Sequence, residues 1–356
     1  MKEDTIFVSI ASYRDDICNL TLKSLYEMAS KPENIYVGIC QQNKKEDSDC
    51  YNNFDNKNVR IIRIPHYEAK GPTYARYLCS TLWNGEEYYL QIDSHSKFVK
   101  DWDIKCINMI KNLKQYTKKP VLSHYPREIK EYEIYTKHVL PRICKAFFNE
   151  KGMISFMGSE IMDSENKFYN TPFVAGGMFF CESYFLNELP YDPNLPYLFT
   201  GEEILHSVRF YTNGWDVYTP TENIVFHEYI RSDKPKFWSD DPHYSDEDAM
   251  NKVKYYLKLK NGDKLSKEMK INIDKYGLGK VRSLEDYYKF AGINIKEGRV
   301  YNNFCRKDNK ASKQDIEKSN EKSLIEKFVI TNKNTIFSLN NSFFYFLIFF
   351  IFIMLL

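Results

Sequence analysis

Residues 88–102 read YYLQIDSHSKFVKDW, and the fold turns on how this stretch is read. The apolar and aromatic run Tyr88, Tyr89, Leu90 and Ile92 has the composition of a buried strand, and it stops abruptly at Asp93, Ser94 and His95. On an extended backbone residues two apart share a side, so Asp93 and His95 present a carboxylate and an imidazole together while Ser94 turns away. That pair is half of a metal shell, and its hard and borderline donors suit Mn²⁺ or Mg²⁺ better than a structural zinc. The tripeptide alone leaves a second reading open, in which Asp93 and Ser94 cap the next helix and His95 is a solvated turn residue.

Working outward, the first 125 residues alternate strand and helix. Residues 5–10 form a β-branched strand that ends in a turn of Ser12, Tyr13, Arg14 and Asp15, and a helix follows over 17–29, closed by Pro32. Residues 35–40 and 59–64 are two further strands, and Pro72 opens a helix whose Ala75, Leu78, Cys79 and Leu82 make a buried face leading into the strand before Asp93. Such alternation predicts an α/β fold with a doubly wound, mainly parallel, Rossmann-like sheet. Ligands of such sheets settle at the carboxyl ends of the strands, so both the 12–15 turn and the 93–95 turn are expected to face one crevice. Beyond Trp102 a helix returns to a strand at 121–123, and residues 125–170, rich in Tyr, Lys and Glu, are expected to form excursions and loops on the acceptor side. In TPFVAGGMFFC, residues 171–181, the Gly176–Gly177 pair interrupts an apolar strand, which marks either a bulge or a place where a ligand meets the backbone. Glu202 and Glu203 begin a helix that closes at Gly214; for Glu203 the reading is complementation of the helix dipole. A short strand over 224–229 then carries His227 near its end.

Composition narrows the class. Fifty basic and 48 acidic residues leave a net charge of +2, which excludes the global field of a nucleic-acid binder, and 43% hydrophobic content is ample for an enzyme core. The eight cysteines (18, 40, 50, 79, 106, 144, 181 and 305) show no CxxC pair and read as reduced thiols. With no signal peptide before the first strand, the chain is expected to fold in the cytoplasm. Residues 1–300 are expected to be the catalytic domain, 1–125 its nucleotide-binding half and 126–300 its acceptor and sugar half. Residues 301–334 read as a polar linker and 335–356 as a hydrophobic tail. The run SFFYFLIFFIFIMLL, residues 342–356, is expected to anchor the chain to a membrane, the alternatives being half-insertion or docking on the catalytic domain.

The order DSH, PFVAGGMFF, TGEE, GWDVYTP and IVFHEYIR resembles a GT-A type glycosyltransferase. It is most similar to the cytosolic polypeptide N-acetylglucosaminyltransferases that modify hydroxyproline on the adaptor subunit of SCF ubiquitin ligases, with IFVSIASYRD and RSLEDYYKFAGI extending the likeness over residues 5–295. DSH, AGG and GEE are also similar, more distantly, to the mucin-type polypeptide N-acetylgalactosaminyltransferases. The resemblance implies a retaining, metal-dependent enzyme that uses UDP-GlcNAc and a protein acceptor. It implies His227 as a third metal ligand with Asp93 and His95, and Arg231 as a donor to the departing phosphate, although the spacing to Arg231 differs from the mucin-type pattern. Ser12, Arg14 and Asp15 become candidates for uridine and ribose contacts, Arg76 faces the donor or Asp93, Gly176 and Gly177 lie against the sugar, and Glu202 binds sugar or acceptor hydroxyls. No carboxylate is an evident nucleophile, so retention by a same-face displacement is favoured over a covalent intermediate. A mucin-type transferase and a non-catalytic sugar-nucleotide-binding scaffold are the competing readings.

Overall fold

The computed structural model describes residues 3–51, 56–157, 160–163, 167–241, 244–263 and 265–301. The expected linker and tail lie outside the described residues. Among those described, no helix is long and apolar enough to cross a membrane.

The chain begins with the alternation expected: β1 (Ile6–Tyr13), α1 (Cys18–Glu27), β2 (Ile35–Asn43), β3 (Val59–Pro65), α2 (Gly71–Ser80) and β4 (Tyr88–Asp93). Along β1 and β4 the side chains alternate between two apolar layers. Ile6, Val8, Ile10, Tyr88, Leu90 and Ile92 pack with Leu22 and Leu25 of α1, whereas Phe7 and Tyr89 point to the opposite face. Both faces of the sheet are therefore covered, and each fully buried leucine contributes about 2 kcal/mol of transfer free energy. β1 runs on through Ser12 and Tyr13, paired with Gln41 and Gln42, so the turn expected at Ser12 begins only at Arg14. The strand continues because its neighbour is long enough to pair with it, which local composition does not reveal.

β5 (Ser96–Phe98), α3 (Trp102–Leu113), β6 (Pro120–Ser123) and β7 (Arg127–Glu128) come next. The region read as loops contains two nested hairpins built from β8 (Val139–Arg142), β9 (Ala146–Phe148), β10 (Ile154–Phe156) and β11 (Glu160–Asp163), β9 pairing β10 and β8 pairing β11. β12 (Tyr169–Asn170), β13 (Met178–Glu182), α4 (Phe185–Glu188), α5 (Glu202–Thr212), β14 (Asp216–Thr219) and β15 (Val225–His227) lead to a helical layer of α6 (Phe237–Asp240), α7 (Glu247–Tyr256), α8 (Ile273–Tyr276) and α9 (Leu284–Ala291), closed by the ribbon β16 (Ile293–Asn294) and β17 (Arg299–Val300).

The main sheet has eight strands in the order β12-β14-β6-β13-β4-β1-β2-β3. It is parallel across β4-β1-β2-β3 and between β14 and β6, and β13 runs antiparallel to both its neighbours. The Gly176–Gly177 pair stands just before β13 rather than inside it. A small sheet of β5, β15 and β7 seats His227 opposite Ser96, beside the end of β4. The reading of all cysteines as reduced is corrected: Cys18 and Cys50 form a disulfide, with Cα atoms 4.8 Å apart across 32 residues, and Cys144 is also disulfide-bonded. Cys40, Cys79, Cys106 and Cys181 are free and buried. The loop after β2 brings Cys50 back to the start of α1, a juxtaposition that spacing in the sequence does not encode.

Candidate active site

The parity of β4 aims its last residue. Asp93 follows Tyr89 and Gln91 on the face covered by α2, and there its Oδ1 accepts a hydrogen bond from Arg76 Nη2 at 2.9 Å. The other oxygen, Oδ2, lies 3.0 Å from His227 Nε2. His95 Nδ1 is 2.8 Å from Asp15 Oδ2, and because a carboxylate only accepts, that nitrogen carries the proton and Nε2 is left as the ligand atom. One ligand atom from each of Asp93, His95 and His227 lies within 4.8 Å of the others. Three such atoms close together, one from a carboxylate and two from imidazoles, are a donor set that suits a divalent ion such as Mn²⁺ or Mg²⁺.

Electrostatics keep the carboxylates ionised. Burial opposes the charge on Asp93, but the His227 hydrogen bond and the Arg76 charge outweigh it and hold the group far below the usual carboxylate range. Asp15, 3% exposed, is likewise pulled down to about 2: burial resists, and His95, Arg231 and Ser94 prevail.

Arg76, on the buried face of α2, is a clamp. One arm of its guanidinium holds Asp93 and the other holds Glu202 at the start of α5. Glu203 does more than complement the dipole of α5, since its Oε1 accepts from Gly176 N at 2.8 Å and its Oε2 from the Tyr125 hydroxyl at 2.7 Å. Burial raises its pKa against those two hydrogen bonds. The glycines leave room for their neighbours: a Cβ on Gly177 would stand 2.9 Å from Asp93 Oδ2 and displace it, and one on Gly176 would stand a tight 3.3 Å from Arg76 Nη1.

Two cavities meet at this cluster. One, about 310 Å³, runs over the ends of β1 and β2 and is lined by Tyr13, Gln42, His95, Arg231 and Lys236. The other, about 450 Å³, is lined by Arg76, Tyr125, Phe156, Gly176, Gly177 and Glu202. Asp93, His227, Tyr229, Phe199 and Pro72 form the wall they share.

The remaining candidates fall in different places. Arg231 lines the first cavity and contacts Asp15 at 3.2 Å and Glu228 at 2.8 Å. Asp15 also lines it, but its oxygens are engaged by Ser94, His95 and Arg231. Arg14, at a left-handed φ of 46°, points instead to Asp47 at 2.9 Å and Asp240 at 2.7 Å, and neither cavity includes it. Ser12 is buried and its carbonyl accepts from Gln42 Nε2 at 3.1 Å. Sequence reasoning placed Tyr13 in the 12–15 turn without a role and missed Gln42 and Lys236; Gln42 sits at a strand end beside Ser12 and Tyr13, whereas Lys236 is one of many lysines and carried no signal.

A family model described as Glycosyltransferase (GlcNAc) matches residues 5–55 and 51–297. No curated protein matches the sequence. Among solved structures the chain is similar to GalNAc-T7 solved with UDP, GalNAc and Mn²⁺, at 16% identity over 82% of this chain and 56% of that one, with a TM-score of 0.50. It is also similar to S. aureus TarS 1–349 in complex with UDP-GlcNAc, at 12% identity over 80% and 72% of the two chains, with a TM-score of 0.44. The chain thus spans about half the length of GalNAc-T7 (56%), and the likeness is one of fold.

Proposed function

Because the chain belongs to the glycosyltransferase (GlcNAc) family and has the GT-A fold, we propose that it transfers N-acetylglucosamine from UDP-GlcNAc to a protein hydroxyl, hydroxyproline foremost, with retention of configuration. The observation that carries this reading is the Asp93, His95 and His227 cluster, with Asp93 and His227 in the wall between two cavities and His95 lining the smaller one. The smaller cavity suits the nucleotide and diphosphate, and the larger suits the sugar and the acceptor hydroxyl. A divalent ion held by Asp93, His95 and His227 would supply charge neutralisation for the departing diphosphate.

The chain's own residues have separable tasks. Asp15 orients the His95 ring, Arg76 fixes Asp93 relative to Glu202, and Gly176 with Gly177 lets the backbone lie against the sugar. Glu202 is engaged by Arg76, and Glu203 by Gly176 and Tyr125, so neither carboxylate is a free nucleophile. That arrangement favours a same-face displacement in which the leaving phosphate takes the acceptor proton.

The disulfide favours a second reading of donor and acceptor. Disulfides persist in oxidising compartments, where transfer of GalNAc to Ser or Thr is the alternative. Incubating the full chain with UDP-GlcNAc or UDP-GalNAc, and with hydroxyproline or Ser/Thr peptides, separates the two. Mass spectrometry should find the sugar on hydroxyproline, from UDP-GlcNAc, and lost with a chelator. Transfer confined to UDP-GalNAc and Ser/Thr would establish the second reading, and no transfer from either donor would refute both.

A further inference from the structure

In the nucleotide-sized cavity almost every charged group already has a partner. Asp93 is held by Arg76 and His227, and Asp15 by His95 and Arg231. Arg231 is itself compensated twice, by Asp15 and by Glu228. Lys236 lines the same cavity and stands apart: it is partly buried, and while its carbonyl accepts from Ser239 N and Asp240 N, its ammonium makes no hydrogen bond or ion pair among the described residues. Burial lowers its pKa below the ordinary lysine value, and the Arg231 charge adds to that, against the weaker pull of Asp15 and Asp233.

The backbone that carries Lys236 is pinned on both sides. Pro235 restricts the approach, and Phe237 is buried against Tyr13, Tyr197 and Tyr244. Three residues further on, Asp240 accepts from the Tyr13 hydroxyl and from Arg14 Nη1, each at 2.7 Å. An ammonium taken partly out of water without a counter-ion destabilises the free protein, and the penalty is relieved when an anion arrives.

Resting on the donor reading above, we propose that Lys236 is a catalytic residue that receives the β-phosphate of the sugar nucleotide and stabilises it as it departs. In that step the bond between the anomeric carbon and the β-phosphate oxygen breaks, and its electron pair stays on the phosphate. The acceptor oxygen forms the new bond to the anomeric carbon, and its proton passes to the phosphate oxygen. Lys236 stays protonated throughout and acts as a donor to the growing charge, the kind of contact whose removal lowers turnover by about 10² to 10³.

The test uses the full chain with Mn²⁺ and compares UDP with UMP by calorimetry, beside steady-state transfer, for the wild type, Lys236→Met and Lys236→Arg. Lys236→Met should weaken UDP by at least about tenfold and leave UMP within about twofold, with kcat reduced by about 10²; Lys236→Arg should recover most of the UDP affinity. Lys236→Met binding UDP as tightly as the wild type overturns the proposal. Equal loss of UDP and UMP does so too, because it points to the cavity wall and not to the β-phosphate. A wild type that binds no UDP overturns the donor reading, and this assignment with it.

Discussion

At Asp93 two neighbours each hold one carboxylate oxygen, and the consequence is testable. Arg76 and His227 keep the carboxylate ionised before any ion arrives, which is the form a ligand must have. Asp93→Asn keeps the shape and removes the charge, so it should abolish transfer and also the rise in melting temperature expected of the wild type with UDP and Mn²⁺, an effect of size RT ln(1 + [L]/Kd). Equal stabilisation of the variant would show that the ion, if bound, does not use this residue. Asp15 belongs to the same scale. It orients His95 through Nδ1, and loss of such a partner weakens metal binding by about 10- to 100-fold, so Asp15→Ala should lower Mn²⁺ affinity by that factor while Asp15→Asn, which still accepts a hydrogen bond, loses less. Unchanged Mn²⁺ affinity in Asp15→Ala, read by calorimetry, would refute the orienting role.

Among the elements, the loop after β2 is held in place by a covalent tie. Cys50 fastens it to α1, and Asp47 in that loop pairs with Arg14, whose other arm reaches Asp240 beside the nucleotide-sized cavity. Closing a loop of this size restricts the unfolded chain by about 3 to 4 kcal/mol on the chain-entropy model. Cys18→Ser with Cys50→Ser should therefore lower the denaturation free energy by about 3 kcal/mol in urea, and the Asp47–Arg14–Asp240 chain predicts a raised KM for the donor as well. A double variant as stable as the wild type would mean that packing alone holds the loop. β4 offers the contrasting case: its alternating layers and its polar end were legible because a buried strand obeys a period of two. The start of β13 was not, since an apolar run reads as strand whether or not a neighbouring strand is there to pair with it.

For the molecule as a whole, buried imidazoles set the response to acid. His124 is fully buried, and burial, against the weaker pull of the Pro141 carbonyl, lowers its pKa to about 4 from 6.5; His206 is also pushed down by burial. Between those values the unfolded chain binds the proton and the folded chain does not. Stability is whole above about pH 6.5 and falls as the pH drops toward 4, by about 3 kcal/mol from His124 alone. Urea unfolding at pH 7.5, 6 and 4.5 should show that slope, and His124→Gln should flatten part of it. A slope unaltered by the substitution would place the acid sensitivity elsewhere.

By itself the sequence determined the alternation of strand and helix, the two-sided burial of β1 and β4, the spacing that sets Asp93 and His95 side by side, and the order of motifs. These are local properties, carried by periods of two and about 3.6 residues and by the chemistry of neighbours in the chain. Only the tertiary structure decided that Arg76 clamps Asp93 to Glu202, that Asp15 serves His95, that Arg14 turns away from both cavities, that Cys18 meets Cys50, and that β13 runs antiparallel. A charged side chain's partner is whichever opposite charge the fold brings within about 3 Å, and a thiol's partner is whichever thiol arrives at bonding distance. His227 and Asp93 are 134 residues apart in the chain and 3.0 Å apart in space. No local pattern encodes such a pairing, because the strands that deliver the two residues belong to different sheets and meet only when the core has formed.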